Sequence, residues 1–330
     1  MQHWNDYWRY SGALNSFAES GASAGYSGEV ASFWQQQLDD CSNETRIVDV
    51  GTGNGALAVL IAEYARNKNV NWQVTGTDAA AIEPAKSLQS KPELVAKLSG
   101  IQFLGDTPVE RLPFAEGSID LVTSQFAFEY SDMGAGLREV VRVLKPGGKF
   151  VVMAHHQGSE LVLDSKRGIE IFDYILDQTP LFMQLDLFFN LAAGALTRMA
   201  NTAWNKTQEC IAATKSIQWT MSIINERFAQ PGDAEWVNDV FGQAIQLIRS
   251  VQSAESANGA AAQLAQFYAG LKNHHMRIKE QVEVALNVKK IVELEKILRD
   301  LKGELSVNSL SIDDDLFAYT LIINKLKLPQ

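Results

Sequence analysis

The chain has 330 residues, of which 46% are hydrophobic and 21% charged, and its net charge is −10 at pH 7. One large domain needs roughly 200 to 250 residues, so about 100 residues remain for a further element. The acidic balance disfavours a nucleic-acid partner, because such binding depends on clustered Lys and Arg. Cys41 and Cys210 are too few for a disulfide framework, and their spacing matches no zinc motif.

The first 42 residues are rich in aromatic side chains and precede any strand pattern. These side chains are Trp4, Tyr7, Trp8, Tyr10, Phe17, Tyr26, Phe33 and Trp34. They predict helices packed against the edge of a sheet. No basic segment followed by an apolar one is visible here, so the sequence predicts no secretory signal and a cytoplasmic protein.

A hydrophobic strand at 46–50 runs directly into a turn with three glycines, Gly51, Gly53 and Gly55, and a helix then begins near Ala56. Glycine lets the backbone bend sharply and approach a ligand closely. The helix directs its free N–H groups and the positive end of its dipole towards that turn. The pattern predicts a site for a nucleotide cofactor.

The residues that follow complete the pattern of a doubly wound sheet. Strands are predicted at 72–77, 101–104 and 118–124, and a helix, a proline-glycine turn and a fifth strand at 137–152. Asp78 ends the second strand, and Asp106 and Thr107 follow the third. Asp120 lies before the apolar part of its strand, so we expect a structural role for it.

The spacing Gly51-x-Gly53-x-Gly55, with Asp49 two residues ahead, resembles motif I of the class I AdoMet-dependent methyltransferases (AdoMet is S-adenosylmethionine). The segment 137–152 resembles the helix, turn and fifth strand of that family. The resemblance covers about 43–154 and 279–328. It implies a Rossmann-like α/β fold with a seven-stranded sheet and a C-terminal antiparallel strand. It also implies transfer of a methyl group from AdoMet, with S-adenosylhomocysteine as the product.

The predicted cofactor-binding residues lie at the carboxyl ends of the strands. They are Asp49, Gly51, Thr52, Gly53, Asn54, Gly55, Asp78, Ala79, Asp106, Thr107, Gln125 and Phe126. The resemblance implies that the glycine turn wraps the methionine part of AdoMet and that Asp106 meets the adenine amino group. Thr107 or a backbone amide could replace Asp106. A carboxylate accepts two hydrogen bonds at once, which suits Asp78 to the ribose hydroxyls. Asp49 and Asp78 are also ordinary turn formers.

A long segment separates the fifth strand from the last one, which is predicted at 317–325. Its pattern is helical, with breaks predicted at Pro180, Pro231-Gly232 and Asn258-Gly259 and a long helix at 279–301. The aromatic segment at 1–42 resembles the helices that close the cofactor pocket in small-molecule methyltransferases, which implies a helical segment over that pocket. The other patterns predict a cofactor-binding core at 43–156, a helical insertion after strand five at 157–271, and the last helix and strands at 272–330.

The helical insertion has three interpretations. Its apolar and aromatic side chains could simply pack its helices together, line an acceptor cavity beneath a lid, or form the face of a homodimer. Its most apolar stretch, 181–200, includes Asp186 and Arg198, which are costly in lipid, so no membrane span is predicted.

The chemistry requires alignment of donor and acceptor, and a proton acceptor where the methyl group goes to O–H or N–H. His155 and His156 follow the fifth strand and are the candidate general bases, although they could also cap the strand. Tyr10, Tyr26, Glu129 and Tyr130 are predicted on the substrate side. His274 and His275 are adjacent and lack a nearby acid, so no metal site is predicted.

The sequence therefore predicts an AdoMet-dependent methyltransferase (EC 2.1.1) that acts on a small or lipophilic acceptor under a helical lid. Two alternatives remain open. One is an RNA or protein methyltransferase, and the other is an AdoMet-binding protein with an assembly role and vestigial catalysis.

Overall fold

The computed structural model describes residues 1–16 and 25–326. Phe17, one of the N-terminal aromatic residues, lies outside these ranges. The chain divides into two compact units. Unit 1 comprises Met1–Val162 and Glu283–Gln330, and unit 2 comprises Leu163–Val282.

Unit 1 is built on a seven-stranded sheet with the order β3-β2-β1-β4-β5-β7-β6. The strands are β1 Arg46–Val50, β2 Gln73–Thr77, β3 Ile101–Leu104, β4 Ile119–Gln125, β5 Leu144–His155, β6 Gly303–Ile312 and β7 Asp315–Lys325. Strands β1 to β5 are parallel, and β7 pairs antiparallel with both β5 and β6. The predicted fold class, with its C-terminal antiparallel strand, is confirmed.

The strand order reverses at β1, which lies between β2 and β4. Open α/β sheets bind ligands outside the carboxyl ends of the strands at such a point. Both faces of the sheet are covered, as the runs of buried residues in its central strands require. Adjacent residues of one strand, such as Leu121 and Val122, are buried in opposite layers because side chains alternate along a strand.

The helices are distributed between the two units. Those of unit 1 are α1 Gln2–Tyr10, α2 Gly28–Leu38, α3 Ala56–Lys68, α4 Pro84–Ser87, α5 Pro92–Lys97 and α6 Met133–Val143. Next come α7 Glu160–Asp173, α8 Leu181–Leu196, α9 Asn201–Trp204, α10 Gln208–Arg227, α11 Asp233–Ser250 and α12 Ala254–Val284, and α13 Val288–Asp300 returns to unit 1. Unit 2 has its own apolar core, in which Phe189, Ile217 and Val240 are buried.

Two helix predictions are wrong. Asn258 and Gly259 do not break the chain but lie inside α12. Glycine costs about 1 kcal/mol relative to alanine within a helix, and burial of neighbours such as Ala257 and Leu264 offsets a cost of that size.

The helix predicted at 279–301 is in fact interrupted between Val284 and Val288. Here the backbone of Leu286 pairs with the end of β5. Its N–H donates to the His155 carbonyl at 2.7 Å, and its carbonyl accepts from Gln157 N–H at 3.0 Å. Asn287 then caps α13 by accepting from Lys290 N–H at 3.0 Å.

Across residues 1–16 and 25–326, no helix has both the length and the apolar character that crossing a membrane requires.

Candidate cofactor and acceptor site

The glycine turn after β1 adopts a backbone that favours glycine. Gly51, Gly53 and Gly55 have φ values of 68°, 54° and 96°. A Cβ added to Gly51 would overlap the Cβ of Ala127, and one added to Gly53 would overlap the indole of Trp8. Ala127 and Trp8 therefore pack directly against the backbone of the turn, where a Cβ would not fit. A ligand that approaches the backbone closely likewise needs a residue without a Cβ.

Asp49 is buried beneath this turn and holds it in place. Its carboxylate accepts hydrogen bonds from Thr52 Oγ1 at 2.6 Å and from Thr123 Oγ1 at 3.0 Å. Burial raises the pKa of Asp49 to about 7. Asp49 thus links the turn to β4, the neighbouring strand.

Asp78 connects the same turn to the end of β2. Its Oδ2 accepts from Gly53 N–H and its Oδ1 accepts from Ala80 N–H, both at 2.8 Å. Burial raises the pKa of Asp78 to about 6. Each carboxylate oxygen has a second lone pair, so the predicted bonds to ribose hydroxyls remain chemically available.

The loop after β3 is joined to the loop after β2. Thr107 N–H donates to the Asp78 carbonyl at 2.7 Å, and Asp106 N–H donates to the Ala80 carbonyl at 3.1 Å. Asp106 has a φ of 50° and an exposed side chain, while Ala79 is half-buried. The residues predicted around adenine and ribose are thus brought together at one edge of the sheet.

Three buried polar atoms near the ends of β1, β2 and β4 have no hydrogen-bond partner among the described residues. They are Asn54 Oδ1, Thr77 Oγ1 and Gln125 Nε2. Leaving such atoms unpaired costs about 1–3 kcal/mol each, so an unpaired atom calls for a ligand or water partner. AdoMet carries hydroxyl, amine and carboxylate groups, and the residues present fit it.

Helix α1 lies against these loops. Asn54 Nδ2 donates to the Trp8 carbonyl at 3.1 Å and to the Ala13 carbonyl at 2.9 Å. Asn5 Oδ1 accepts from Ala81 N–H at 3.0 Å, so α1 spans from the glycine turn to the loop after β2. Trp8 contacts the turn, and Tyr10, predicted on the substrate side, is 75% exposed at the end of α1.

Tyr26, the other tyrosine predicted on the substrate side, is half-buried against apolar residues of two clusters in unit 1. Its pKa is raised by burial and further by the charges of Asp49 and Tyr7. The phenol therefore lies in the neighbourhood of the motif I carboxylate.

Gln125 contacts a residue that the sequence did not single out as a partner. Its Oε1 accepts from Trp34 Nε1 at 2.5 Å, and both side chains are buried. The two residues are 91 positions apart, and only the aromatic content of the N-terminal segment indicated Trp34. Phe126, the next residue, has a φ of 53°, and its ring centroid lies 4.4 Å from that of His155.

His155 and Glu129 form a buried pair at the carboxyl ends of β5 and β4. Glu129 Oε1 accepts from His155 N–H at 2.8 Å and lies 2.7 Å from His155 Nδ1. Tyr130 flanks the imidazole, with ring centroids 5.9 Å apart, and Trp4 of α1 packs edge-on against Tyr130 at 5.5 Å. Three residues predicted for catalysis and the substrate side are therefore adjacent.

His156 has different surroundings. Its Nδ1 accepts from Gly158 N–H at 2.9 Å, and its ring lies 4.1 Å from that of Tyr319. Burial lowers the pKa of His156. The structure therefore separates the two histidines that the sequence could not distinguish.

The second histidine pair lies in unit 2. His275 Nε2 is 3.0 Å from Asp173 Oδ1, which also binds Lys279 Nζ at 2.8 Å. His274 packs near Phe172, and burial lowers its pKa to about 4. Within the part of the chain that the structure describes, no group of three or more His, Cys, Asp and Glu side chains is arranged to hold a metal ion.

Residues 48–152 match the family model described as a methyltransferase domain. An uncharacterised methyltransferase of Bacillus subtilis, YcgJ, is 31% identical over 128 residues, which is 38% of this chain and 46% of that protein. The demethylmenaquinone methyltransferase of Thermus thermophilus is 33% identical over 124 residues, 36% of this chain and 53% of that protein. The ubiquinone/menaquinone biosynthesis C-methyltransferase UbiE of Rickettsia felis is 29% identical over 157 residues, 45% of this chain and 62% of that protein.

The chain thus spans about half the length of the curated relatives it matches. The matched segment contains the glycine turn, Asp78, Gln125 and Glu129, which lie at the carboxyl ends of the strands in the candidate site. The match shows that residues 48–152 are similar to a methyltransferase domain, as the resemblance of motif I implies.

Proposed function

We propose that this protein transfers the methyl group of AdoMet to a small lipophilic acceptor. The observation that carries the proposal is the set of unpaired buried polar atoms, Asn54 Oδ1, Thr77 Oγ1 and Gln125 Nε2, beside a glycine turn at the point where the strand order reverses. A site of this kind suits a ligand with several polar groups that needs close approach to the backbone.

The chain's own residues would bind and orient the cofactor. The turn Gly51 to Gly55 supplies a backbone that a ligand can approach closely, and Asp78 and Gln125 supply an acceptor and a donor. When bound, AdoMet supplies a methyl group that is already activated by its sulfonium, so the protein contributes mainly alignment and exclusion of water.

The acceptor class is proposed from a row of aromatic rings at the same edge of the sheet. The aromatic row consists of Trp4, Tyr130, His155, Phe126 and Phe317, with successive ring centroids 4.4 to 5.9 Å apart. Aromatic surfaces favour flat, apolar ligands. Two of the relatives are named for quinones, which are molecules of that kind, and this supports the proposal.

Calorimetric titration with AdoMet tests the cofactor assignment. We expect Asp78→Ala to weaken binding by about 1.5–3 kcal/mol, the range for hydrogen bonds to a charged group. The matched control is Asp120→Ala, because Asp120 binds Arg46 N–H and Lys145 away from the glycine turn. Equal affinity of Asp78→Ala and the parent protein would remove the assignment.

A transfer assay with radiolabelled AdoMet tests the acceptor class. We expect label in 1,4-dihydroxynaphthalene, a water-soluble analogue of a quinol, and none in bulk tRNA or in a mixture of unmodified proteins. Tight, salt-dependent binding of tRNA together with label in tRNA would favour the alternative of an RNA methyltransferase.

Unit 2 is proposed to select the acceptor as a lid. Its chain continues from the carboxyl end of β5, which is the edge at which open α/β sheets bind ligands.

One observation favours a second role for unit 2, in self-association. Met183, Leu187 and Leu191 follow one another at helical spacing on α8 and are 70%, 54% and 36% exposed.

We propose the reducing cytoplasm as the compartment of this protein. Cys41 and Cys210 are free thiols, which suits such a compartment.

A further inference from the structure

Glu129 binds His155 twice through one oxygen. Its Oε1 accepts from the backbone N–H at 2.8 Å and lies 2.7 Å from Nδ1, and its side chain has no exposed surface. A carboxylate oxygen only accepts, so towards the Glu129 carboxylate the Nδ1 contact is a second donated hydrogen bond. Two bonds from one residue fix both the position and the rotation of the imidazole ring.

A hydrogen bond donated from Nδ1 to a carboxylate would fix the tautomer of His155. Neutral imidazole carries one hydrogen, and with that hydrogen on Nδ1 the lone pair lies on Nε2. His156 has the opposite arrangement, because its Nδ1 accepts from Gly158 N–H and its hydrogen must lie on Nε2. Of these two histidines, His155 is therefore the one whose Nε2 carries no hydrogen, as a general base requires.

The pair lies in surroundings that contain little water. The rings of Phe126 and Tyr130 flank His155, so little water is available to screen the interaction. The buried Glu129 carboxylate attracts a positive charge more strongly there than it would in water. Burial lowers the pKa of the nearby Lys290, and the charges of Glu283, Glu129 and Glu293 oppose that shift.

Lys290 does not replace His155 as the hydrogen-bond partner of Glu129. Its Nζ donates to the carbonyls of Glu283 and Val284 at 2.8 and 2.9 Å, which end α12. Glu129 Oε2, moreover, has no hydrogen-bond partner among residues 1–16 and 25–326. A buried carboxylate that serves only to support the fold would be expected to have both oxygens satisfied.

We infer that His155 Nε2 is the proton acceptor of the methyl transfer, that Glu129 is its positioning residue, and that the acceptor is therefore a protic nucleophile. This inference rests on the proposed function. Its acceptor class comprises lipophilic molecules with an ionisable O–H or N–H, phenols and quinols included, and excludes thioethers.

The acceptor is X–H, in which X is oxygen or nitrogen. The X–H proton moves to His155 Nε2, and the electron pair left on the acceptor forms the new bond to the methyl carbon. The methyl–sulfur bond breaks, and its electron pair stays on sulfur, so S-adenosylhomocysteine leaves uncharged. Imidazolium then returns its proton to solvent, and Glu129 stabilises it in the interval.

Nitrogen NMR of the ¹⁵N-histidine-labelled protein without AdoMet tests the geometry directly. At a pH where imidazole is neutral, we expect His155 with hydrogen on Nδ1 and His156 with hydrogen on Nε2, each assigned by loss of its signals in the His→Gln variant. His156 is the internal control, since it lies on the same strand end. An Nε2–H tautomer at His155 would overturn the inference whether or not the protein binds AdoMet.

Transfer kinetics test the role, with 1,4-dihydroxynaphthalene as the protic probe and 1-(methylthio)naphthalene as a probe that loses no proton. We expect H155Q to slow transfer to the protic probe by about 100-fold or more, the usual range for a general base, and E129Q to slow it by at least about tenfold. The AdoMet dissociation constant should stay within about twofold in both variants, which separates this result from a failure of cofactor binding.

Several results would contradict the inference. Parent rates in both variants would show that the pair is structural. Transfer to the thioether probe, or to neither probe, by a protein that binds AdoMet would remove the protic acceptor. If E129Q fails to fold, the Glu129→Asp variant replaces it, because a shorter carboxylate keeps the charge but loosens the ring, and it should slow transfer without abolishing it.

Discussion

Gly53 N–H donates to Asp78 Oδ2 at 2.8 Å, so a buried carboxylate at the end of β2 holds the glycine turn that follows β1. Asp49 holds the same turn from below through Thr52. Two carboxylates that resist ionisation thus shape the proposed cofactor site, with pKa values raised by burial to about 6 and about 7. Ionisation of either one costs folding free energy.

The first prediction is a loss of stability with rising pH that depends on Asp49. A carboxyl group whose folded pKa is raised binds its proton more tightly in the folded state, so its stabilising contribution is complete below the unfolded value of about 4 and is lost as pH rises through about 7. The Asp49→Asn variant should therefore gain stability over the parent between these limits.

Urea unfolding at a series of pH values measures that difference. Comparison with the parent is needed because His274, with a pKa lowered by burial to about 4, acts in the opposite direction and loses stabilisation as pH falls. Parallel curves for the parent and Asp49→Asn would show that Asp49 titrates equally in the folded and unfolded chain.

The second prediction concerns the contact between Gly53 and Trp8. In Gly53→Ala the new Cβ would overlap the indole, and alanine at a φ of 54° adds backbone strain of about 1–2 kcal/mol. We expect Gly53→Ala to be destabilised by more than that strain, and Trp8→Ala in the same chain to relieve the excess. A double-mutant cycle by urea unfolding gives the coupling, and additive effects would show that the contact is absent in solution.

Much of the fold was predictable because its signals are local. Strands β1 to β4 each lie within one residue of their predicted bounds, since their apolar runs end at glycine, aspartate or loop residues. The interruption at Leu286 was missed because it depends on pairing with His155, which is 131 positions away, although Asn287 was a readable helix cap.

In the candidate site, too, local motifs were predictable and long-range contacts were not. The glycine turn and Asp78 follow from a motif, whereas the pair of Trp34 with Gln125 depends on packing between distant elements. Distinguishing His155 from His156 required the hydrogen-bond partners of their ring nitrogens. Nδ1 of His155 contacts the Glu129 carboxylate, whereas Nδ1 of His156 accepts from Gly158 N–H. No sequence pattern encodes that information.

The third prediction tests the buried pair of Trp34 and Gln125. Trp34→Phe removes the indole N–H and leaves Gln125 Oε1 unpaired, which should cost about 1–3 kcal/mol in addition to lost packing. In the double variant with Gln125→Leu no polar atom is left unpaired, so part of the loss should be recovered. Urea unfolding of the three variants measures this, and an equal or larger loss in the double variant would contradict the account.

The last prediction tests self-association through unit 2. Leu187 on α8 and Trp219 on α10 are 54% and 68% exposed, and the two helices pack together, with Gln184 Nε2 donating to Ser216 Oγ at 2.8 Å. Exposed apolar side chains on adjacent helices favour contact with a second copy, because association removes them from water. If the protein is a dimer in light scattering, Leu187→Gln with Trp219→Ser should shift it towards monomer at micromolar concentration.

The matched control is Val288→Gln, a change at a similarly exposed apolar residue of unit 1, which should leave the mass unchanged. A parent protein that is monomeric at every concentration, or a dimer that the double variant does not weaken, would assign these residues to another role and leave the lid as the proposal for unit 2.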